Sequence, residues 1–108
     1  MIPDLKIYHG RKIEKTYHAE EIDLQFGVVE DIIDALDLDS LQGNDAGAII
    51  AAIVKAKNQI RPLLLDVFDG LTTEEARRTR MNNLVEVVSG IANYYLTEIL
   101  HIRADEKN

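Results

Sequence analysis

The chain has 108 residues, 46% of them hydrophobic, and a formal net charge of −7. This length and apolar content predict one folded domain with a modest core and argue against intrinsic disorder. The sequence contains no cysteine, which excludes disulfides and thiolate-bound zinc. Its acidic balance makes nucleic acid a poor partner, because binding to phosphates needs a basic face.

The hydropathy pattern gives no reason to expect a membrane protein. The first ten residues lack the apolar core of a signal peptide. The longest apolar run, Ala46 to Val54, is shorter than the ~20 residues of a membrane span. We therefore expect a soluble protein of the cell interior.

The acidic residues are unevenly distributed along the chain. No Lys or Arg occurs from Thr16 to Val54, whereas nine acidic residues do. The simpler interpretation is a solvated helix face. The alternative is a surface that steers basic partners or keeps an aggregation-prone assembly factor in solution.

Two short alternating segments predict an N-terminal β-hairpin over residues 5–17. Leu5 and Ile7 alternate with polar or aromatic neighbours, Ile13 begins a second such run, and a turn containing Gly10 separates them. A lone hairpin is marginally stable in water, so its apolar face must pack on a helix. Open strand edges leave self-association by strand addition as a further expectation.

Helical periodicity predicts four helices, over residues 25–37, 46–60, 62–69 and 73–102, with a loop between the first two. The predicted fold is therefore mainly α within the α+β class: a single domain in which the hairpin packs on about four helices.

Within these helices the apolar residues suggest which faces are buried. The predicted stripe of the first helix consists of Phe26, Val29, Ile33 and Leu36, and Val28 and Ile32 widen it. The second helix, capped by Asp45, is apolar all round in its first turns, which is typical of a helix that is buried or faces a partner.

Three positions bear on where the helices begin and end: Pro62, Asn82 and Asn83. Pro62 suits the first position of the third helix, where its missing N–H costs nothing, and the alternative is a kink at this residue. Asn82 and Asn83 mark either a break in the fourth helix or exposed positions on one bent helix.

The junction between the last two helices is rich in local signals. Gly70 can take the left-handed conformation that ends a helix. Thr72 and Glu75 have the spacing of a capping box, in which each side chain bonds the backbone amide of the other residue. These signals specify local backbone structure and do not indicate a catalytic or binding site.

No catalytic, cofactor-binding or metal-ligating constellation is predicted. The three histidines are far apart in sequence and form no metal-binding pair. Ser89 lies mid-helix beside Gly90, where small residues allow close packing. The segment around Gly70 lacks the side-chain oxygens that an EF-hand needs at its other positions. We expect a protein that is not an enzyme.

The only basic cluster is Arg77, Arg78 and Arg80. The simpler interpretation pairs them with Glu74 and Glu75 at helical spacing. The alternative is a contact for an acidic partner.

Taken together, three segments resemble the tail assembly chaperones of long-tailed phages and prophages of Gram-positive bacteria. They are GRKIEKTY, IDLQFGVVEDIIDALDLDSL and RPLLLDVFDGLTTEEARRTR, and the similarity covers roughly Leu5 to Ile99. The positions of the last segment that match the family pattern are Pro62, Leu64, Phe68, Gly70, Leu71, Thr72, Glu74 and Glu75.

The resemblance implies a function. Such a protein binds the tape measure protein in the host cytoplasm and keeps it soluble until tail tube subunits assemble around it. It is not expected in the mature virion. The partner-binding residues predicted for this chain are Ala48, Ile49, Ala52, Tyr94 and Tyr95.

Members of this family are also made in a longer form by a programmed ribosomal slip. The final residues here are Glu106, Lys107 and Asn108, and their codons permit an A-AAA-AAY slippery heptamer. A longer frameshift product is accordingly a hypothesis for this gene.

Three alternatives stay open beside the chaperone. The leading one is a small acidic helical adaptor, such as an antitoxin-like or anti-repressor protein, which would hold one stable partner and show no frameshifted form. A small hydrolase predicts a deep polar pocket. A helix-turn-helix protein predicts DNA binding with a steep salt dependence.

Overall fold

The structure is a computed structural model that describes the backbone of residues 2–36 and 45–107, and side chains as far as residue 98. In chain order the described elements are β1 (Leu5–His9), β2 (Lys12–Tyr17), α1 (Phe26–Ala35), α2 (Ala46–Lys55), α3 (Lys57–Val67), α4 (Thr73–Ala76) and α5 (Met81–Lys107). The predicted α+β class, mainly helical with an N-terminal hairpin, is confirmed. The predicted loop between α1 and α2 and the last residue, Asn108, lie outside the described residues.

The hairpin is antiparallel and closes through Gly10, whose φ of 63° suits glycine at a tight hairpin turn. A bulge interrupts its register, because Ile7 pairs with Lys15 while Tyr8 pairs with Ile13. The extra residue moves Ile13 away from the inner face, and its side chain is half exposed. The inner face therefore consists mainly of β1.

The hairpin packs on the start of α5, as its marginal stability requires. The amide of Lys6 donates to Asn83 Oδ1 at 2.8 Å, and Asn83 Nδ2 donates to the carbonyl of Asp4 at 2.9 Å. The amide of Tyr8 donates to the carbonyl of Arg78 at 3.0 Å. These bonds occupy the outer edge of β1, so strand addition cannot occur there.

The interpretation of Asn83 as an exposed or helix-breaking position was wrong. Its side chain is buried and joins β1 to α5. An asparagine in the first turn of α5 tolerates burial here because both ends of its amide have backbone partners.

The predicted stripe of α1 was also wrong for two of its members. Phe26 is 80% exposed and Ile33 is 57% exposed, whereas Ile32 and Ala35 are buried. α1 packs mainly on α3, and it does so through the face that contains Ile32. The predicted stripe therefore combined two residues of the outer side, Phe26 and Ile33, with residues of the packed side such as Ile32 and Leu36.

The boundary between the second and third helices differs from the prediction. α2 ends at Lys55, and the chain bends at Ala56, whose φ is −99° and ψ is 20°. Pro62 does not begin α3 but lies inside it. Its missing N–H leaves the carbonyl of Asn58 without a helical donor, and both residues are exposed, so water can supply one.

The predicted segment 73–102 is two helices rather than one. α4 is a single turn that ends at Ala76, and α5 starts at Met81. Between them, the carbonyl of Arg78 accepts from the Tyr8 amide of β1 instead of a helical amide. The break between α4 and α5 therefore coincides with a hydrogen bond to the hairpin.

The core lies between the hairpin and the helices. Its largest fully buried side chains come from β1, α1, α3 and α5 and from the residues just before β1 and just after α3: Ile2, Leu5, Ile7, Ile32, Leu63, Leu64, Phe68, Val87, Val88 and Ile91.

Candidate partner-binding groove

An apolar groove lies between α2, α3 and the start of α5. The buried side chains of Ile60 and Leu64, one helical turn apart on α3, form part of its floor. Val54 and Met81 stand at its margin and are 51% and 39% exposed. The groove encloses about 260 Å³ and is lined by Ile53, Val54, Lys57, Ile60, Arg61, Leu64, Ala76, Arg77, Thr79, Met81 and Leu84.

The rim of this groove is basic, although the chain as a whole is acidic. Lys57, Arg61 and Arg77 line it, and no Asp or Glu among the described side chains does. Within the described residues, none of the three has a carboxylate within 4.0 Å. Such a groove can cover an apolar side chain while its rim attracts neighbouring acidic groups.

A second apolar surface lies on the outer side of α1. Phe26 and Ile33 are two helical turns apart on one exposed face. Glu30 and Asp34 lie between or beside them and are also exposed. This outer α1 face therefore combines two large apolar side chains with negative charge.

The acidic character of that region extends to α3. Partial burial raises the pKa of the Asp66 carboxyl above its ordinary value, and the hydrogen bond and negative charge of Asp31 raise this pKa further. The two carboxyl groups lie beside a shallow depression that Glu30 and Asp34 also line. Like charges are crowded here, which a cationic partner would relieve.

The junction that carries the family resemblance is built as the sequence predicts. Gly70 has a φ of 87°, and Thr72 and Glu75 form the capping box. The hydroxyl of Tyr17 donates to Glu75 Oε1 at 2.6 Å and lies 3.2 Å from the carbonyl oxygen of Gly70. The junction is thus fixed to β2 as well as capped.

These bonds alter the ionisation of the capping carboxylate. The Tyr17 hydroxyl, the Thr72 amide and hydroxyl, and the charge of Lys15 all favour the ionised form of Glu75, and its pKa lies below the ordinary value. Lys15 Nζ is 3.7 Å from Glu75 Oε2 and 4.7 Å from the centre of the Tyr17 ring. The Glu75 carboxylate therefore caps α4, and the Lys15 side chain packs on the Tyr17 ring.

The remaining motif positions divide between core and surface. Leu64, Phe68 and Leu71 are buried. Pro62 and Glu74 are exposed. The motif therefore stabilises the helix junction, while its member Leu64 also forms part of the groove floor.

The basic cluster 77–80 separates into three different environments. Arg78 Nη2 donates to Glu74 Oε2 at 3.0 Å, which is the predicted i, i+4 pair, and Arg78 also pairs with Glu14 of β2. These carboxylates raise the pKa of Arg78 above its ordinary value. Arg80 stacks on the ring of Tyr8, 4.2 Å from its centre. Arg77 alone of the three lines the groove.

The predicted partner-binding residues are not brought together. Ile49 is buried in the core, and Ala48 is partly buried. Ala52 lines a different depression, shared with Ile33. Tyr94 and Tyr95 are both partly buried and pack against the core, although only one of them was expected to do so.

The groove residues were missed because the sequence offers only a weak signal for them. In α2, Ile50 and Val54 are one turn apart and both exposed, yet they belong to a helix that is apolar on all sides. Lys57 and Arg61 have the same spacing on α3, beside the apolar pair Ile60 and Leu64. These basic and apolar pairs at helical spacing were the sequence pattern that could have indicated the groove.

The described part of the chain offers no obvious chemistry. Among these residues, no three His, Asp or Glu side chains are grouped so that they could hold a metal ion. None of the described helices combines the length and hydropathy needed to cross a membrane.

Comparisons with protein-family models, with curated proteins and with solved structures returned no match.

Proposed function

We propose that this protein is a phage tail assembly chaperone that binds the tape measure protein and keeps it soluble until tail tube subunits surround it. Two things support the proposal. One is the resemblance carried by the Phe68-Asp69-Gly70-Leu71-Thr72-Thr73-Glu74-Glu75 junction. The other, on which the proposal mainly rests, is the open apolar groove between α2, α3 and α5.

A groove of this kind suits a helical client. An amphipathic helix binds such a groove with apolar side chains spaced by one or two turns. The exposed side chains of Val54 and Met81 would contact that stripe, and burying them would exclude water from it. The basic rim would favour a client whose apolar stripe is flanked by acidic residues.

The proposed mechanism is coverage rather than catalysis. An unassembled helical client exposes long apolar stripes, which associate unless they are covered. One copy of this small domain would cover a short stretch, so several copies would act along one client. The net charge of −7 would keep the loaded complex soluble through mutual repulsion.

The proposal includes the remaining expectations of the family. The protein would act in the host cytoplasm without an enzymatic activity, contact tail tube subunits during hand-over and be absent from the finished virion. A minor longer product of ribosomal slipping would carry further residues beyond those present here.

Co-expression with the tape measure protein of the same genome tests the groove. The wild-type chain should keep that protein in the soluble fraction. A Val54→Asp/Met81→Asp variant should lose most of this effect, because two carboxylates would then lie at the apolar margin. The measurement is the soluble fraction of the tape measure protein after centrifugation.

Ile13→Asp provides the matched control, since Ile13 is 50% exposed and Val54 is 51% exposed. It lies on the hairpin and does not line the groove, so it should behave as the wild type does. Equal solubilisation by the groove variant and the wild type would contradict the proposed site. No solubilisation by the wild type would contradict the proposed function.

A further inference from the structure

The outer α1 face is an exposed apolar surface that differs from the groove in the sign of its charge. Phe26 is 80% exposed, the highest value among the large apolar side chains that the structure describes. Ile33, seven residues later, is 57% exposed. Seven residues bring a helix back to the same face about 10 Å further along its axis. The two side chains therefore form one apolar strip, two helical turns long.

The carboxylates near this strip lie along one of its edges. Glu30 and Asp34 lie about 40° and 80° around the helix from Phe26. Asp31 lies about 140° away in the same direction. These three acids share a shallow depression with Asp66 of α3, and among the described side chains no Lys or Arg lines it. A molecule that covers the strip would therefore meet negative charge along one edge.

The carboxyl groups at this edge are crowded, and the cations of the chain do not neutralise them. Partial burial raises the pKa of the Asp66 carboxyl, and the hydrogen bond and charge of Asp31 raise this pKa further. Within the described residues, no cation lies within 4.0 Å of a carboxylate of Glu30, Asp31, Asp34 or Asp66. Lys55 lines a separate depression at the C-terminal end of α1. Cations brought by another molecule would relieve the repulsion.

α3 separates this face from the groove. Lys57 lines the groove, whereas Asp66, nine residues later on the same helix, lies in the depression beside α1. Nine residues correspond to a rotation of about 180° around α3. A ligand in the groove would therefore leave the outer α1 face open to a second molecule.

We propose that the outer α1 face is a docking site for a basic amphipathic helix of another protein. The apolar side chains of that helix, one or two turns apart, would cover Phe26 and Ile33 and remove them from water. Its Lys or Arg side chains, along one edge of the stripe, would face Glu30 and Asp34. These ion pairs would select basic helices over acidic ones. An exposed phenylalanine suits the centre of such a contact, because aromatic residues are enriched in interface cores.

Charge argues against the other common ligands of an exposed apolar strip. An anionic lipid surface attracts basic segments and would repel these carboxylates. Nucleic acid would be repelled for the same reason. The two surfaces of this chain would thus select partners of opposite charge, an acidic helix in the groove and a basic one on α1.

Two synthetic helical peptides test the site. Both carry leucines every three or four residues, and one has Lys wherever the other has Glu. Each is titrated into the isotope-labelled full chain and followed by NMR. The Lys peptide should shift the amide signals of Phe26, Gly27 and Glu30 and leave those of Val54 and Met81 unchanged. Its affinity should fall as added salt screens the charges, and the Glu peptide should leave the α1 signals unchanged.

Substitutions on the face should weaken binding of the Lys peptide. Glu30→Lys/Asp34→Lys replaces two attractive charges by repulsive ones, and the affinity should fall roughly ten-fold. Phe26→Ser/Ile33→Ser removes the apolar strip and should weaken binding at least as much. All four positions are exposed, so both variants should retain the helical circular dichroism of the wild type.

Glu21→Lys/Glu86→Lys is the matched control for charge. It changes the net charge as much as Glu30→Lys/Asp34→Lys does, at two exposed positions that do not line the depression beside α1. Its affinity for the Lys peptide should stay close to that of the wild type.

Four results would overturn the inference. They are equal affinities for the two peptides, shifts confined to groove residues, and folded α1 variants that bind the Lys peptide as the wild type does. The fourth is a set of α1 signals that respond to protein concentration but not to the peptide, which would assign the face to a second copy of this chain. The test uses no tape measure protein, so its outcome is separate from that of the proposed function.

Discussion

Gly90 decides how the N-terminal residues pack on α5. A Cβ at this position would lie 2.4 Å from Pro3 Cδ and 3.6 Å from the Cα of Ile2. Ile2 is buried at this contact, with 1% of its surface exposed. Glycine therefore provides a close approach between the helix and the chain that precedes β1.

Replacing Gly90 by alanine should reverse the usual effect of that substitution in a helix. Alanine normally stabilises a helix interior by roughly 0.5–1 kcal/mol relative to glycine. Here the overlap with Pro3 should outweigh that gain and lower the free energy of unfolding by about 1–3 kcal/mol. Urea denaturation followed by circular dichroism measures the difference.

Gly27→Ala is the matched control, because a Cβ at Gly27 would meet nothing within 4 Å. It should be neutral or stabilise the protein by up to about 1 kcal/mol. A Gly90→Ala protein at least as stable as the wild type would contradict the described packing of Pro3.

The sequence could predict residues whose role is local. The capping box of Thr72 and Glu75 and the positive φ of Gly70 follow from short-range chemistry, and both are present. The role of Asn83 could not be predicted in this way. Its partners, Asp4 and Lys6, lie more than seventy residues away in the chain.

At the scale of elements, Asn83 holds the hairpin on α5. Its amide bonds the backbone on both sides of Leu5, accepting from Lys6 and donating to Asp4. The side chain is buried, with 7% of the residue exposed. Removing it would leave two backbone groups without partners in a place that water reaches poorly.

Asn83→Ala should therefore lower the free energy of unfolding by about 1–3 kcal/mol. It should also speed hydrogen exchange at the amide of Lys6. Asn93→Ala supplies the comparison, since Asn93 is exposed on the same helix, and a change within about 0.5 kcal/mol is expected there. Equal effects of the two substitutions would show that the bonds to β1 contribute nothing to stability.

The existence of the helices could be predicted, but not which face of α1 is buried. α1 is apolar on two sides, so periodicity offers two stripes, and only packing on α3 selects the one containing Ile32. The break at 77–80 has a similar origin. The carbonyl of Arg78 serves the hairpin, and no local signal in the sequence announces that contact.

At the scale of the whole molecule, basic and acidic side chains each lie beside exposed apolar residues, and α3 separates the two regions. The cations Lys57, Arg61 and Arg77 gather at the groove, while the acidic side chains of α1 lie across α3. The groove draws its lining from α2, α3, α4, the 77–80 segment and α5, so no single stretch of sequence reveals it. The resemblance suggested what kind of partner to expect and not where it binds.

The central claim is that this groove receives the tape measure protein, and site-specific photo-crosslinking tests it most directly. A photoreactive amino acid is placed at Val54 or at Ile13, two side chains that are equally exposed, in cells that also make the tape measure protein of the same genome. The account predicts a crosslink to the tape measure protein from position 54 and none from position 13. A crosslink from position 13 alone, or none from either position while the two proteins co-purify, would contradict it.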